Sequence, residues 1–395
     1  SFLPEELSSL VIRSIVEDAQ NYLGEEIEEA VISVPAYFHD EQRVAVKRAG
    51  ALAGIHVERI VNEPSAAALA SYFTANEEQN MLVFDFGGGT LDVSLVDCFD
   101  TMVEIVSVAG NNRLGGDDFD RLIAEHFLRE HGVARQQLRA QEYAVLLKQA
   151  ERCKKLLSEQ DEVVMHATVG DQLYESTYTM DRLFEESKAL LKEIRQVIGR
   201  ALKDGKMTIH DVDLVVMAGG SSKMPLIQKY IRHLFHKAPM VQGNCDELIA
   251  LGLGLVCGVK ERKEEIKDYI LTDICPFSLG VATINEADPD RAYMANIINR
   301  NTVLPCSRVR RFYTASDQQD YVVVEIHQGE NTYAQDNLLL GKIEISVPPK
   351  PKGKEAVDVR FTYDINGILV VDTRVVSTGV VKTHIISQKI PEAEL

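Results

Sequence analysis

One stretch decides the fold of this chain: Val83-Phe84-Asp85-Phe86-Gly87-Gly88-Gly89-Thr90-Leu91-Asp92-Val93. An apolar segment enters three glycines and an alternating segment leaves them, which predicts two strands joined by a glycine loop. Glycine permits close approach of the backbone to a ligand, and successive N–H groups in such a turn surround an anion. Asp85, Asp92 and the Thr90 hydroxyl stand where a hydrated Mg²⁺ needs oxygen ligands. The alternative is a glycine-rich hairpin with two solvated acids.

The glycine loop differs from two common nucleotide motifs. No Gly-x-x-x-x-Gly-Lys sequence occurs, and the glycines lead into a strand rather than a helix. A P-loop or a Rossmann motif requires strand, loop and helix in that order. The stretch therefore predicts a phosphate loop at the tip of a β-hairpin, and in this it resembles the actin-like and sugar-kinase fold.

Composition limits the partners that the chain can have. Its 395 residues suffice for two or three domains. The net charge of −18 argues against nucleic acid and against an acidic membrane surface, because both are negatively charged. No apolar run approaches the roughly 18–20 residues of a membrane span. The first residues show neither the basic nor the apolar region of a signal peptide.

The cysteines and histidines give no sign of a metal centre. Six cysteines are scattered without a Cys-x-x-Cys pair, and ten histidines form no His-x-x-x-His pair. A structural zinc site and a metallohydrolase site are therefore not predicted. Scattered thiols suit a reducing compartment, so the sequence predicts a cytoplasmic protein.

Strands and helices alternate through the first two thirds of the chain, which predicts an α/β domain. A helix is predicted over Pro4–Leu23, and Asp40 is predicted to cap a second one. Two further glycine segments follow, Leu114-Gly115-Gly116-Asp117 before a predicted helix and Gly219-Gly220-Ser221 after a predicted buried strand. A helix start can face a phosphate, and open α/β sheets bind ligands at strand ends. For the first segment, an ordinary helix entry is the alternative.

Three later helices are predicted from apolar periodicity. The first ends in four polar side chains that by themselves indicate a solvated charged face: Glu151, Lys154, Lys155 and Ser158. The second is predicted as one helix over residues 181–202. The third begins after Asp246, and its glycines indicate close packing because glycine disfavours helix. These glycines are Gly252, Gly254 and Gly258.

The pattern changes to period-two alternation with turn signals from Cys275 onward, which predicts an all-β sandwich. Asp364-Ile365-Asn366-Gly367 is a hairpin-turn sequence. A charged stretch and the apolar segment Tyr269-Ile270-Leu271-Thr272-Asp273-Ile274 separate the two regions. The sequence therefore predicts an α/β part and a β part with a linker between them.

Several motifs together resemble one family, the heat-shock protein 70 chaperones. They follow the family's order over almost the whole chain: Val31-Ile32-Ser33-Val34-Pro35-Ala36-Tyr37-Phe38, Asn62-Glu63-Pro64-Ser65-Ala66-Ala67-Ala68, the glycine loop from Asp85 to Asp92, Leu114-Gly115-Gly116-Asp117-Asp118-Phe119-Asp120, Gly219-Gly220-Ser221, Asp273-Ile274-Cys275-Pro276-Phe277-Ser278-Leu279-Gly280 and Gln328-Gly329-Glu330. The Thr272-Asp273-Ile274-Cys275-Pro276 junction is most similar to the bacterial HscC-type branch.

The resemblance implies an actin-like (ribonuclease H-like) ATPase domain over residues 1–263 that is incomplete at its N-terminus. It implies a linker over residues 264–274 and a β-sandwich peptide-binding domain over residues 275–395. ATP or ADP and Mg²⁺ are the implied cofactors, with Mg²⁺ held by Asp85 through water. The implied catalytic residues are Glu63, Asp85 and Thr90. The implied nucleotide-binding residues are Gly87, Gly88, Gly89, Thr90, Gly115, Gly116, Glu151, Lys154, Lys155, Ser158, Gly219, Gly220, Ser221, Lys223 and Asp246.

The β region is implied to hold a channel for extended apolar peptides, in which main-chain hydrogen bonds give affinity and apolar pockets accept alternate side chains. The channel residues would be Val281, Thr283, Ile284, Phe312, Ala315, Val322 and Val324. The alternative is that these side chains only face the core. Pro35, Arg43 and Asp273 would couple the domains, so that the nucleotide state controls peptide affinity. Unfolded polypeptides, a J-domain co-chaperone and a nucleotide exchange factor are the implied partners in protein folding and the stress response.

The sequence departs from the family pattern at both ends. The family's opening strand, Gly-Thr-Thr phosphate loop and catalytic lysine have no counterpart, and Leu395 stands where the family's helical lid would begin. Without one phosphate clamp and a charge-stabilising lysine, the chain is expected to hydrolyse ATP poorly. Without a lid, it is expected to release peptide faster. Two other functions stay open: a sugar kinase of the same superfold, and a non-catalytic module that binds peptide through residues 275–390.

Overall fold

The computed structural model describes residues 2–75, 77–170, 172–241, 245, 247–264, 266, 268–285 and 288–385. Tertiary contacts divide the chain into two compact units. Unit 1 is drawn from residues 1–34, 38–62 and 272–395, and unit 2 from residues 35–37 and 63–271.

The helices begin and end close to the predicted signals. Pro4 opens the first helix and Gly24, with φ of 73°, follows its end, as predicted. The single helix predicted over residues 181–202 is wrong: it is two helices that meet at Ser187, whose buried hydroxyl donates to the carbonyl of Leu183. The helices are α1 (Pro4–Leu23), α2 (Asp40–Ala53), α3 (Glu63–Ala75), α4 (Gly116–Glu130), α5 (Ala140–Leu156), α6 (Met180–Glu186), α7 (Lys188–Asp204), α8 (Pro225–Phe235) and α9 (Leu248–Lys260).

The strands cover most of the segments with alternating or continuous apolar residues. They are β1 (Glu29–Val34), β2 (His56–Asn62), β3 (Gln79–Phe86), β4 (Leu91–Phe99), β5 (Met102–Asn111), β6 (Glu162–Val169), β7 (Gln172–Thr179), β8 (Leu214–Ala218), β9 (Ile270–Ile274), β10 (Leu279–Asn285), β11 (Asp288–Ile298), β12 (Val303–Leu304), β13 (Cys306–Tyr313), β14 (Tyr321–Gln328), β15 (Leu338–Ser346), β16 (Ala356–Tyr363), β17 (Leu369–Val375) and β18 (Val381–Ile385). The sequence did not predict β11.

Unit 2 is built on a sheet in which β5, β4, β3 and β8 lie side by side in that order. β3 pairs antiparallel with β4 and parallel with β8. Buried side chains such as Phe84, Phe86 and Val93 form one core with α4, α5, α7 and α8. α3 and α9 pack together elsewhere in this unit. Because β3, β5 and β8 run in the same direction, the three glycine segments that follow them lie at the same end of the sheet.

Unit 1 contains two four-stranded antiparallel sheets that share one hydrophobic core. The strand orders are β11-β10-β14-β15 and β13-β16-β17-β18. The predicted hairpin turn joins β16 to β17: the Gly367 N–H donates to the Asp364 carbonyl at 3.1 Å, and Gly367 has φ of 68°. The two sheets account for the alternating pattern that begins after Cys275.

Unit 1 contains residues from both sides of the domain boundary predicted at residue 263, because α2 and β2 pack with the β region. Asp40 is not a helix cap but the first residue of α2, and His39 precedes it. The Asp40 carboxylate accepts hydrogen bonds from the Tyr363 hydroxyl at 3.1 Å and the Leu369 N–H at 3.0 Å. The Ile60 N–H donates to the Asn366 side chain at 3.0 Å. The division into functional domains stays a prediction.

Replacing Asp40 with asparagine is expected to change how stability depends on pH. Burial raises the pKa of Asp40 to about 6, despite the hydrogen bonds from Leu369 and Tyr363. Between about pH 4 and pH 6 the folded state therefore binds more protons at Asp40 than the unfolded state does. The contribution of Asp40 to the free energy of unfolding is therefore lost as pH rises through this range. Urea unfolding at pH 4 to 7 should show the variant gaining up to about 3 kcal/mol relative to the native chain.

Asp18→Asn is the matched control for this titration, because Asp18 is an exposed acid of α1 in the same unit. Its free energy of unfolding should follow that of the native chain across the same pH range. A difference between the native chain and Asp40→Asn that stays constant from pH 4 to 7 would show that Asp40 keeps its ordinary pKa.

Within the part of the chain that the structure describes, none of the helices has the length and apolar character needed to cross a bilayer. All six cysteines are free thiols, and four of them are buried.

Candidate functional site

The first glycine loop closes the hairpin of β3 and β4, as predicted. Asp85 pairs in register with Asp92, and the Gly87 N–H donates to the Thr90 carbonyl at 3.0 Å across the loop. Phe86 and Leu91, the last and first residues of the two strands, are fully buried. The loop therefore projects from a rigid, buried hairpin.

The second glycine segment lies directly on the first. The Gly116 N–H donates to the Gly87 carbonyl at 3.0 Å, and the Asp117 N–H donates to the Gly88 carbonyl at 2.8 Å. A Cβ atom on Gly115 would overlap the Gly88 carbonyl and stand 2.5 Å from the Gly89 nitrogen. The start of α4 is thus built into the glycine loop, which is more than an ordinary helix entry.

The third glycine segment reaches the same place from β8. The parallel register sets Asp85 beside Ala218, so that Gly219 follows next to Phe86. Gly219 has φ of 80°, and a Cβ atom there would lie 2.6 Å from the Asp85 carboxylate and from the Phe86 carbonyl. Only glycine suits this combination of positive φ and close approach.

A cavity of about 550 Å³ opens beside the three glycine segments. Eight of the predicted nucleotide-binding residues line it: Gly88, Glu151, Lys154, Lys155, Ser158, Gly220, Ser221 and Lys223. The end of α5 forms a wall of the cavity, so the interpretation as a solvated charged face fails for Lys154, which is buried, whereas Lys155 and Ser158 are exposed. Glu151 and Lys155 pair with each other at 2.6 Å with much of both side chains exposed.

Three lining residues were not predicted: Asp117, Asp120 and Met224. A signal for the two acids was present in the sequence. Asp117 and Asp120 stand three residues apart in the first two turns of α4, and residues at that spacing share one helix face. Met224 lies three residues after the third glycine segment, but its apolar side chain carries no chemical signal of its own.

Lys154 is the buried ammonium group of the cavity wall. Its Nζ atom lies 2.8 Å from the Asp120 carboxylate and donates to the Gly116 carbonyl at 2.8 Å. Both side chains of the ion pair are about one tenth exposed. Burial raises the pKa of Asp120, and the hydrogen bond from Lys154 opposes that rise. The pair joins α4, α5 and the second glycine segment at one point.

Two buried carboxyl groups, Asp85 and Asp92, form an acidic cluster at the base of the glycine loop with the half-buried Glu63. Burial, with the charge of Asp85 next, raises the pKa of Glu63. Burial also raises the pKa of Asp85, which is hydrogen bonded to Glu63, and burial and Asp85 raise the pKa of Asp92 to about 7. One Asp92 carboxylate oxygen has no hydrogen-bond partner. Ionisation of all three groups together is therefore disfavoured, and a bound cation would favour their ionised forms.

The chemistry of this cluster fits a hydrated divalent cation. Among the described residues, no group of three histidine, cysteine or acidic side chains has the geometry to hold a metal ion directly. Mg²⁺ keeps several waters and binds through one or two carboxylates, which is compatible with contact through water as predicted for Asp85. Thr90 is half-buried at the far end of the loop.

The remaining predicted nucleotide-binding residues lie in the loops rather than on the cavity wall. These are Gly87, Gly89, Thr90, Gly115, Gly116 and Gly219. Their main-chain hydrogen bonds and close approaches hold the loops together, as described above. Asp246 lies outside the described residues, so its predicted place in the site is not addressed by the structure.

A second cavity, of about 360 Å³, lies in unit 1. All seven predicted peptide-binding residues line it: Val281, Thr283, Ile284, Phe312, Ala315, Val322 and Val324. Val281 and Val324 are buried and also belong to the core of the two sheets, whereas Ile284 is 65% exposed. The interpretation as simple core residues therefore applies to part of the set only.

The three residues predicted to couple the domains have different surroundings. Arg43 is buried in unit 1, where it donates to the Asn62 side chain at 2.6 Å and the Phe38 carbonyl at 3.2 Å. Asp273 accepts from the Ile274 N–H at 2.9 Å. Pro35 belongs to unit 2.

Comparisons with known proteins agree with these motifs. A family model described as Hsp70 protein matches residues 1–393. The chain is 38% identical over 389 residues to a chaperone protein dnaK of Cyanophora paradoxa, which covers 96% of this chain and 62% of that protein. It is 38% identical over 382 residues to a chloroplastic stromal 70 kDa heat shock-related protein of Pisum sativum, which covers 93% of this chain and 52% of that protein. The chain thus spans between half and two thirds of the length of these relatives.

Unit 2 has the mixed α/β content of the Hsp70 ATPase-domain family. The chain belongs to the Hsp70 family, since the family model spans nearly all of it. Its assignment to the HscC-type branch stays a prediction.

Proposed function

We propose that this chain is an ATP-dependent molecular chaperone that binds nucleotide in unit 2 and extended apolar peptide segments in unit 1. One observation carries the proposal: two separate cavities are each lined by the residues of one set of family motifs. Eight residues of the nucleotide set line the first cavity, and all seven of the peptide set line the second.

The nucleotide is proposed to be ATP or ADP with Mg²⁺. The glycine segments would bind its phosphates through main-chain N–H groups, while Glu151, Lys155 and Ser158 would face the nucleoside. Glu63, Asp85 and Thr90 would orient the attacking water and the waters of Mg²⁺. The cation supplies charge neutralisation of the phosphates when bound, and its charge would favour the ionised forms of the acidic cluster.

Peptide binding is proposed for the cavity between the strands of the β region, which acts as a β-sandwich domain. The nucleotide state would control peptide affinity through Pro35, Arg43 and Asp273, and by reciprocity peptide would change nucleotide affinity. Unfolded polypeptides, a J-domain co-chaperone and a nucleotide exchange factor are the proposed partners, in the cytoplasm.

Replacing Ile284 with aspartate is expected to weaken peptide binding at least about tenfold, because a charge would line a pocket that accepts apolar side chains. Fluorescence anisotropy of a labelled apolar heptapeptide on the full chain would measure this. Val309→Asp is the matched control, because Val309 is an equally exposed strand residue, 58% against 65%, outside the cavity lining. Equal peptide affinity of the two variants would show that the peptide does not bind in this cavity.

The same titration with ATP added tests the coupling. We expect ATP to lower peptide affinity several-fold, within the roughly 5- to 150-fold range of typical coupling between sites. Peptide affinity that does not respond to ATP would favour the non-catalytic peptide-binding module instead.

Release of phosphate from ATP by the 395-residue polypeptide is expected to be slow. No Gly-Thr-Thr segment occurs in its sequence, so one of the family's two phosphate clamps has no counterpart in it, and transition-state charge would be less well stabilised. A single-turnover assay with radiolabelled ATP, with Asp85→Asn as the background control, would measure the rate. Turnover at the rate of intact Hsp70 chaperones would contradict this expectation.

A further inference from the structure

The ion pair of Lys154 and Asp120 restricts the hydrogen-bond donors that Lys154 can offer a ligand. An ammonium group has three N–H bonds. One donates to the Gly116 carbonyl at 2.8 Å, and the Asp120 carboxylate lies 2.8 Å from the same nitrogen as its ion-pair partner. Because Lys154 lines the cavity wall, an N–H that neither of these two neighbours takes is available to a bound molecule.

The position of this ammonium group is fixed from several sides. A Cβ atom on Gly116 would overlap the Ser221 hydroxyl and stand 3.1 Å from the Lys154 Nζ atom. The absence of a side chain at Gly116 therefore makes the space that Nζ occupies. With α4, α5 and the third glycine segment meeting here, Lys154 has little freedom to follow a ligand.

The pair also sets the local charge. An unpaired buried ammonium group attracts phosphate strongly, since Coulomb energies are several times larger near a protein interior than in water. The carboxylate of Asp120, which also lines the cavity, offsets that charge at hydrogen-bond distance.

We infer that Asp120 is a positioning residue for the nucleotide, one that holds Lys154 in place and neutralises it. Lys154 then offers one directed hydrogen bond to a neutral oxygen of the ligand rather than a free positive charge to its phosphates. The inference rests on the proposed nucleotide binding, and it assigns Asp120 a part in choosing between nucleoside and phosphate contacts.

Calorimetric titration of the full chain with adenosine and with ADP tests this role. Asp120→Asn keeps the shape of the side chain and removes its charge. We expect it to weaken adenosine binding about tenfold, because a directed charge-assisted bond is lost, while ADP loses less because the freed charge attracts its phosphates. The affinity ratio of ADP to adenosine should therefore rise several-fold, with about tenfold as the upper limit if ADP affinity is unchanged.

Two further variants keep the test decisive if Asp120→Asn folds poorly. Lys154→Gln leaves the carboxylate unopposed and should lower the ratio of ADP to adenosine affinity. The double variant should return the ratio towards that of the native chain, because neither charge remains. Glu125→Gln, an exposed acid on the same helix, is the control and should change neither affinity.

Three results would overturn the inference. Asp120→Asn could weaken adenosine and ADP equally, as a purely structural residue would. The double variant could keep the raised ratio of Asp120→Asn, which would show that the rise does not come from the charge of Lys154. If the native chain binds neither adenosine nor ADP, the proposed nucleotide site itself is wrong. The titration of the native chain shows this before any variant is compared.

Discussion

Replacing Gly115 with alanine is expected to lower the affinity of the full chain for ADP by roughly 10- to 100-fold, because a displaced loop would lose a main-chain hydrogen bond to a charged phosphate, and such a bond contributes about 1.5–3 kcal/mol. The added methyl group would overlap the Gly88 carbonyl and approach the Gly89 nitrogen to 2.5 Å. Both obstacles are backbone atoms of the loop proposed to hold the phosphates, so the loop and the start of α4 have to separate. Equilibrium titration with a fluorescent ADP analogue would measure the loss.

Gly199→Ala is the control for this experiment. Gly199 lies in α7, and a Cβ atom there would meet no atom within 4 Å. This variant should bind ADP as the native chain does, with a slightly higher melting temperature because alanine favours helix. If Gly115→Ala binds ADP as tightly as the control, the contact between the two glycine segments is not part of the nucleotide site.

Two alanine substitutions in α9 should change stability in opposite directions. A Cβ atom on Gly252 would overlap the Ala66 carbonyl and lie 2.8 Å from the Ala66 Cα atom, so α9 would have to move away from α3. We expect Gly252→Ala to lower the free energy of unfolding by about 3 kcal/mol. At Gly254 there is no atom within 4 Å, and Gly254→Ala should raise it by about 1 kcal/mol through helix propensity.

Urea unfolding followed by circular dichroism would measure both changes, and each variant serves as the control for the other. The two substitutions are identical chemically and lie two residues apart in one helix. Changes of the same sign in both would mean that α3 and α9 do not pack as closely as the structure has them.

These glycines also show where the sequence prediction was incomplete. Close packing was predicted for all three glycines of α9. It holds for Gly252 against Ala66 and for Gly258 against the Ile266 side chain, but Gly254 faces open space. Glycine composition indicates that a helix has a close neighbour, whereas the position of the neighbour decides which glycines are needed.

The sequence alone determined most local structure and the family. The helices follow from apolar periodicity and from end signals such as Gly24, and the hairpin follows from the three glycines after Phe86. These features depend on backbone preferences within a few residues, which can be read along the chain. β11 was missed because its stretch opens with Asp-Pro-Asp, which is a turn signal rather than a strand signal.

Only the tertiary structure decided which distant residues meet. Asp40 was expected to cap its own helix but accepts hydrogen bonds from Tyr363 and Leu369. Asp120 pairs with Lys154 and joins it on the cavity wall. Local preference is the same whether such a side chain faces solvent or a partner more than 30 residues away. The free energy that settles the choice comes from burial and from satisfying buried polar groups, and these exist only once the elements pack.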